Sequence, residues 1–262
     1  AEDSRTHFGI FSPGTTQLFP DGHVLNLHPW EYNEVPVMLA AAMKAEQPII
    51  ALHLTRPGVE IFDRQALGLG SHFEAAKGAY ILRDYKDGAP KQGVIMVQGT
   101  MSTYNLIKAL PAIDEAGVNV NIVAIPSPQL FAMQSDEYQN TVLTPGDRMN
   151  STFVTNRSRR VMKDWNFNPL CDEYALSSDW DDQWREGGSV DEVCEDAKID
   201  PASIAAGDEK RSRRKAGVLP QGEGQGLERG HRYEGQGSAV GQGLGRHDAD
   251  SQAGVASGSG GD

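Results

Sequence analysis

The feature that most constrains the fold is a βαβ pattern between Gly93 and Pro126. The apolar run Val94–Val97 leads through Gly99 into a segment with helical periodicity, and a second apolar run, Val120–Ile125, follows Gly117. Two apolar strands joined by an amphipathic helix are the building block of a parallel sheet that is covered by helices. The pattern therefore predicts an α/β fold.

A second run with the same character lies earlier in the chain. Pro48–Leu54 is continuous and apolar, which is typical of a parallel strand that is buried on both faces, and Glu34–Glu46 has the pattern of a helix that Asn33 can cap. We expect two three-layer αβα domains with mostly parallel sheets, of which the first is incomplete. The predicted boundaries are residues 1–88 for the first domain and 89–206 for the second.

The composition changes near Gly207. A basic cluster is followed by a segment that holds roughly half of the 29 glycines of the chain and shows no apolar periodicity. Such a segment cannot bury enough apolar surface to offset the entropy of ordering. We therefore predict a disordered Gly-rich tail over residues 207–262.

Charge and cysteine content exclude several classes of function. The formal net charge of −12 argues against binding to a nucleic-acid backbone, which needs clustered Lys and Arg. No apolar stretch approaches the roughly 20 residues of a membrane-spanning helix. Cys171 and Cys194 lack the spacing of a metal site, and we interpret them as buried, reduced thiols. We expect a cytoplasmic protein without a metal site of its own.

Arg56 comes just after the predicted strand Pro48–Leu54. Ligands bind at the carboxyl edge of open α/β sheets, and a guanidinium there could hold a phosphate with two parallel hydrogen bonds. The alternative is a surface ion pair with Glu60 or Asp63. The turn Gly99–Ser102 has two interpretations as well, an anion site at a helix N-terminus or a tight turn with a cap.

Five histidines lie within the first 72 residues, and none is spaced for metal binding. Flanked by loop and glycine, His7 is the better candidate for an exposed role in proton transfer or sugar binding. His53 lies within an apolar strand and is expected to be a hydrogen-bonded core residue.

The order of these segments resembles the C-terminal half of transketolase. The resemblance covers roughly residues 5–205, that is, the rear of the pyrimidine-binding domain and the transketolase C-terminal domain. It is carried by Thr6-His7 with Gly14–Gln17, by Pro48–Arg56, by Gly93–Pro126, by Gln134–Pro145 and by Glu186–Lys198. Gln134–Pro145 is the most specific of these stretches.

The resemblance implies a transferase of carbohydrate metabolism, in the pentose phosphate pathway. Such an enzyme uses thiamine diphosphate and Mg²⁺ to transfer a two-carbon ketol unit between phosphorylated sugars. It also implies that His7 lies near the thiazolium and substrate as a catalytic residue, and that Arg56 binds the substrate phosphate. The cofactor and Mg²⁺ would be bound mainly by segments outside this chain, which would be inactive alone. Its expected partner is a second copy or an N-terminal-half chain.

Three alternatives stay open. The β subunit of a 2-oxoacid dehydrogenase and deoxyxylulose-phosphate synthase share this domain order, although Gln134–Pro145 favours transketolase. A non-catalytic dimerisation or regulatory module would retain the fold without the site. The sequence departs from the transketolase pattern at Thr16-Gln17, where the second histidine of the loop is replaced, so the sugar is not determined.

Overall fold

The structure is a computed structural model that describes residues 11–56, 58–181, 183 and 187–215. His7 and residues 216–262 of the predicted tail lie outside the described residues. Within the described part no helix is long and apolar enough to cross a membrane.

The strands form two sheets. β1 and β2 form a parallel pair, and the other five strands form a sheet in the order β3-β5-β4-β6-β7. The strands are β1 (Val24–Leu27), β2 (Ile49–Leu52), β3 (Tyr80–Arg83), β4 (Val94–Gln98), β5 (Asn121–Ala124), β6 (Ser151–Thr155) and β7 (Leu176–Ser177).

Helices connect the strands. The α-helices are α1 (Phe11–Thr16), α2 (Glu34–Lys44), α3 (Thr100–Glu115), α4 (Pro128–Ala132), α5 (Asp136–Val142), α6 (Pro145–Met149), α7 (Pro169–Glu173), α8 (Val190–Asp196) and α9 (Pro201–Lys215). Two 3₁₀ helices span His72–Lys77 and Arg159–Trp165.

The five-stranded sheet has the layered architecture that the βαβ pattern predicts. β4 pairs in parallel with β5 and β6, and β3 joins the sheet antiparallel to β5. Successive residues of β4 alternate between two apolar clusters: Ile95 and Val97 pack in one, Val94 and Met96 in the other. Both faces are therefore buried, and the prediction of an α/β fold with mostly parallel sheets is confirmed.

The smaller sheet differs from the prediction of a strand buried on both faces. β2 is half-exposed, with Ile49 at 44 % and Leu54, just after the strand, at 63 % of their possible exposure. The reason is that β2 has only β1 as a neighbour among the described strands. On α2, Met38 and Ala42 are buried, but Met43 faces outward.

The entry to α2 also differs from the prediction. Asn33 occupies the N-cap position, but its side chain makes no capping hydrogen bond, and its backbone is already helical. Helix α8 begins with a capping box: the Ser189 hydroxyl accepts from the Glu192 N–H, and the Glu192 carboxylate accepts from the Ser189 N–H.

One apolar core crosses the boundary predicted at residues 88/89. Leu25, Leu27, Met38 and Leu82 from the first segment belong to the same buried cluster as Ile95 from the second. The strand Tyr80–Arg83, which falls within the predicted first domain, pairs with β5 of the larger sheet. The domain boundaries themselves stay a prediction.

Helix α9 extends into the segment predicted as a disordered tail. Residues 207–215 are helical, and they continue a helix whose residue Ile204 is fully buried against the core. α9 packs along α3, and this packing supplies the apolar contact that the composition of the tail alone does not indicate.

Gly78 permits a close approach between the chain before β3 and the start of α4. Its φ of +87° is in the left-handed region, and a Cβ at this position would meet the backbone of Phe131 and Ser127. Gly117 has a φ of +70° but opens onto free space, so it provides a matched control.

We expect Gly78→Ala to lower the free energy of unfolding by more than about 3 kcal/mol, because steric overlap adds to the cost of a positive φ. Gly117→Ala should lose only about 1–2 kcal/mol, the cost of the backbone conformation. Urea denaturation of both variants checks this, and equal losses would contradict it.

Candidate active site

A cleft of about 710 Å³ opens where β1 and β2 end. It is bounded by the turn after β1, the first turns of α2 and the loop after β2. Its lining residues are Pro29, Trp30, Glu31, Tyr32, Val35, Pro36, Leu39, Leu54, Thr55, Arg56, Gly58, Val59, Ile61 and Thr100.

Arg56 lies at this cleft, at the edge of the sheet that its position in the sequence predicts. It follows β2 by four residues, it is exposed, and it shares the cleft with Thr55. Most of the remaining wall is apolar, including Val35, Leu39 and Ile61. A phosphate could therefore be held at the polar edge around Arg56 rather than against the apolar wall. Its assignment as a phosphate ligand stays a prediction.

A buried ion cluster fixes the side of the cleft that Trp30 and Glu31 form. The Arg64 guanidinium donates from Nε to Glu31 Oε1 at 2.9 Å and from Nη2 to Glu34 Oε1 at 3.0 Å. Nη1 donates to the hydroxyl of Tyr80 at 3.0 Å. The side chains of Arg64, Glu31 and Glu34 are at most 9 % exposed.

Aromatic groups complete this cluster. Tyr80 donates its hydroxyl hydrogen to Glu34 Oε1 at 2.5 Å and accepts from the Trp30 indole Nε1 at 2.9 Å. The Arg64 guanidinium carbon lies 4.6 Å from the centre of the Trp30 ring, within range of a cation–π interaction. The cluster thus joins the turn after β1, α2, the segment before β3 and β3 itself.

The protonation states follow from burial and charge. Burial raises the pKa of the Tyr80 phenol well above its usual value, and the charge of Glu34 raises it further, so the phenol stays a donor. Burial alone would lower the pKa of Arg64, but Tyr80, Glu34 and Glu31 outweigh it and raise the pKa. Arg64 is therefore charged at neutral pH.

Sequence reasoning missed this cluster. Glu34 lies within the predicted helix Glu34–Glu46, and Arg64 lies in a segment without regular secondary structure. The sequence held one signal for the cluster. Its arginine, two glutamates and two aromatic residues lie on segments whose other buried residues are mostly apolar.

The predicted histidines do not converge at the cleft. His7 lies outside the described residues, and His53 is not among the lining residues. His53 is hydrogen-bonded as expected for a core residue, with Nε2 at 3.1 Å from Asn26 Oδ1, although it is only partly buried. His28, also absent from the cleft lining, is fully buried beneath the His53 ring.

The glycine turn after β4 has the geometry of the tight-turn alternative. Gly99 occupies the N-cap of α3 with a φ of +102°. The Ser102 hydroxyl is not a cap, since it donates to the Gln98 carbonyl at 2.6 Å. The side chain of Thr100 faces the turn after β1, where its hydroxyl donates to the Pro29 carbonyl at 3.4 Å.

Comparison with known proteins identifies the second half of this fold. The family described as "Transketolase-like TK C-terminal domain" matches residues 78–167. A chromosomal transketolase of Cupriavidus necator is 28 % identical over 145 residues, which are 55 % of this chain and 20 % of the relative. A transketolase of Geobacillus stearothermophilus is 29 % identical over 145 residues, 55 % of this chain and 21 % of the relative.

Residues 78–167 are thus similar to the C-terminal domain of transketolases. The resemblance that the motifs indicated is confirmed. The chain spans about a fifth of the length of the curated transketolases it matches.

The likeness of fold extends beyond that domain. A transketolase mutant from Pichia stipitis superposes with a TM-score of 0.62 at 20 % identity, covering 82 % of this chain and 28 % of that one. The transketolase of Leishmania mexicana gives a TM-score of 0.61 at 17 % identity, and the superposition covers 80 % of this chain and 28 % of that one. The described fold is therefore that of a transketolase over most of this chain.

We expect Arg64→Met to lower the free energy of unfolding by about 3–5 kcal/mol, because two buried carboxylates lose their counter-charge. Adding Glu34→Gln should recover part of this loss, since it removes one of the two charges. Guanidinium denaturation of the single and double variants measures both values. A single variant that loses less than about 1 kcal/mol would show that the cluster does not hold these segments together.

Proposed function

We propose that this chain is part of a transketolase-like transferase, which transfers a two-carbon ketol unit between phosphorylated sugars with thiamine diphosphate as cofactor. The observation that carries the proposal is the position of Arg56 at a cleft on the carboxyl edge of β2, in a chain with a transketolase-like C-terminal domain. This is the edge at which open α/β sheets bind ligands.

In this proposal Arg56 binds the phosphate of the sugar and so orients the substrate. A guanidinium presents parallel N–H groups that match two phosphate oxygens, which fixes direction as well as affinity. A transketolase of Pichia stipitis with a TM-score of 0.60 to this chain was solved in complex with sedoheptulose 7-phosphate, a phosphorylated sugar. We propose that His7 lies near the reacting carbon, and the support for this is its place in the Thr6-His7 motif of the resemblance.

The described residues do not form a site for the Mg²⁺ diphosphate group. Among them no three His, Cys, Asp or Glu side chains come together in a way that could hold a metal ion. Thiamine diphosphate supplies the carbanion chemistry of ketol transfer when it is bound, and we propose that segments outside this chain hold it. No step through the cofactor is therefore derived from these residues.

A non-catalytic interaction module is the second candidate. The observation in its favour is the apolar surface around β2, where Ile49, Leu54 and Tyr32 are 44 %, 63 % and 79 % exposed. The same surface fits the proposed association with a second copy or with an N-terminal-half chain. A cytoplasmic location stays part of the proposal.

An assay of ketol transfer separates the two candidates. The chain is mixed with a separate chain that carries the thiamine-diphosphate-binding half of a transketolase, and transfer from xylulose 5-phosphate to ribose 5-phosphate is followed. We expect activity in the mixture and none with this chain alone. Binding without transfer would favour the module.

Arg56→Ala tests the phosphate assignment. Loss of a charged hydrogen bond costs about 1.5–3 kcal/mol, so the Michaelis constant for ribose 5-phosphate should rise by about 10- to 100-fold. Lys44→Ala, which removes an exposed charge at the end of α2, is the control and should leave that constant unchanged. An unchanged Michaelis constant in Arg56→Ala would contradict the assignment.

A further inference from the structure

Arg157 is a buried arginine that lacks a counter-ion among the residues that the structure describes. It lies two residues after the end of β6 and is 7 % exposed. Its backbone is anchored, since its N–H donates to Thr155 Oγ1 and its carbonyl accepts from the Ser178 N–H. Its side chain is not anchored in this way. The buried Nε has no hydrogen-bond partner, and no carboxylate of the described chain lies within ion-pair distance of the guanidinium.

Two other arginines show the contrast. Arg159 pairs with Asp179, and Arg64 is held by two glutamates. Burial without a compensating acid lowers the pKa of Arg157 to about 10. The guanidinium nevertheless remains charged at neutral pH, and a buried charge without a partner costs several kcal/mol. An anion from solution is the partner that would offset this cost.

The rings of His28 and His53, just after β1 and β2, are close enough to Arg157 for its charge to affect their pKa. The His28 and His53 rings stack with their centres 4.5 Å apart. Burial is the main cause that lowers the pKa of both histidines, and the charge of Arg157 lowers it further. The pKa of His53 falls to about 4. Both rings are thus neutral at pH 7, and Arg157 supplies the positive charge of the group.

Two of these neighbours also carry unused polar atoms. Asn26 and His28 are each 2 % exposed. The Asn26 amide nitrogen, Nδ2, and the His28 ring nitrogen Nδ1 are buried without a hydrogen-bond partner. The Asn26 oxygen is already occupied, since it bonds with Thr16 Oγ1 and His53 Nε2, which leaves the amide N–H groups as the unused donors.

We propose that Arg157, together with Asn26 and His28, binds a phosphate-type anion, either free phosphate or the phosphate group of a small metabolite. The guanidinium follows β6 and the amide donor lies in β1, and several acceptor oxygens on one ion could satisfy several buried donors. None of these three residues lines the Arg56 cleft, so the site does not depend on the proposed function.

The test uses the full chain with Arg56→Ala, so that binding at the cleft does not contribute. Inorganic phosphate is titrated by calorimetry in a phosphate-free buffer, and we expect saturable binding of one ion. Arg157→Met should weaken it by about 10- to 100-fold. Arg160→Met, which removes an exposed arginine three residues further on, is the matched control and should bind as before.

Thermal unfolding distinguishes a binding role from a structural one. Without phosphate, Arg157→Met should melt at the same or a higher temperature, because it removes an unpaired buried charge. Phosphate should raise the melting temperature of the parent but not that of the variant. A lower melting temperature without phosphate, together with an unchanged response to phosphate, would overturn the proposal.

A second variant covers the case in which Arg157→Met does not fold. Asn26→Asp keeps the shape of the side chain and places a carboxylate in the cluster, so it should repel the anion and weaken phosphate binding at least tenfold. Ribose 5-phosphate is titrated in parallel. Tighter binding of the ester identifies a metabolite site, and equal binding identifies a site for free phosphate. No saturable binding of either, or binding that neither variant changes, overturns the proposal.

Discussion

The architecture depends on one buried guanidinium. Arg64 comes from a segment without regular secondary structure, yet it bonds to Glu31 after β1, to Glu34 in α2 and to Tyr80 in β3. A two-stranded sheet is marginal by itself, because it buries little apolar area. The cluster ties that sheet and α2 to the five-stranded sheet, and the continuous apolar core around Leu27, Met38 and Leu82 accompanies it.

The same cluster determines what the candidate site can be. Trp30 and Glu31 belong both to the cluster and to the cleft lining, so this part of the wall is held by buried hydrogen bonds rather than by a free loop. Such support is what a binding site needs if it is to position a substrate within a fraction of an ångström. The rigid wall and the exposed arginine belong to one arrangement, although Arg64 itself does not line the cleft.

Much of the fold was predictable, because strands buried on both faces and helices with one apolar face leave a clear periodicity. The βαβ unit, β2, the helix α2 and the transketolase resemblance all came from local patterns. The ion cluster and the exposure of β2 could not be predicted from local patterns, since both depend on which segments meet in space. The position of Arg56 followed from a rule about sheet edges, whereas the isolation of Arg157 becomes visible only when its neighbours are known.

The central claim is that the cluster around Arg64 joins the two sheets into one cooperative unit. Native-state hydrogen exchange tests this most directly, by comparing the amides of Leu27 in β1 with those of Val123 in β5, both buried in the structure. The account predicts that both exchange only through the same global opening, with equal free energies and equal denaturant dependence. A β1 amide that exchanges through a separate opening of much lower free energy would contradict it.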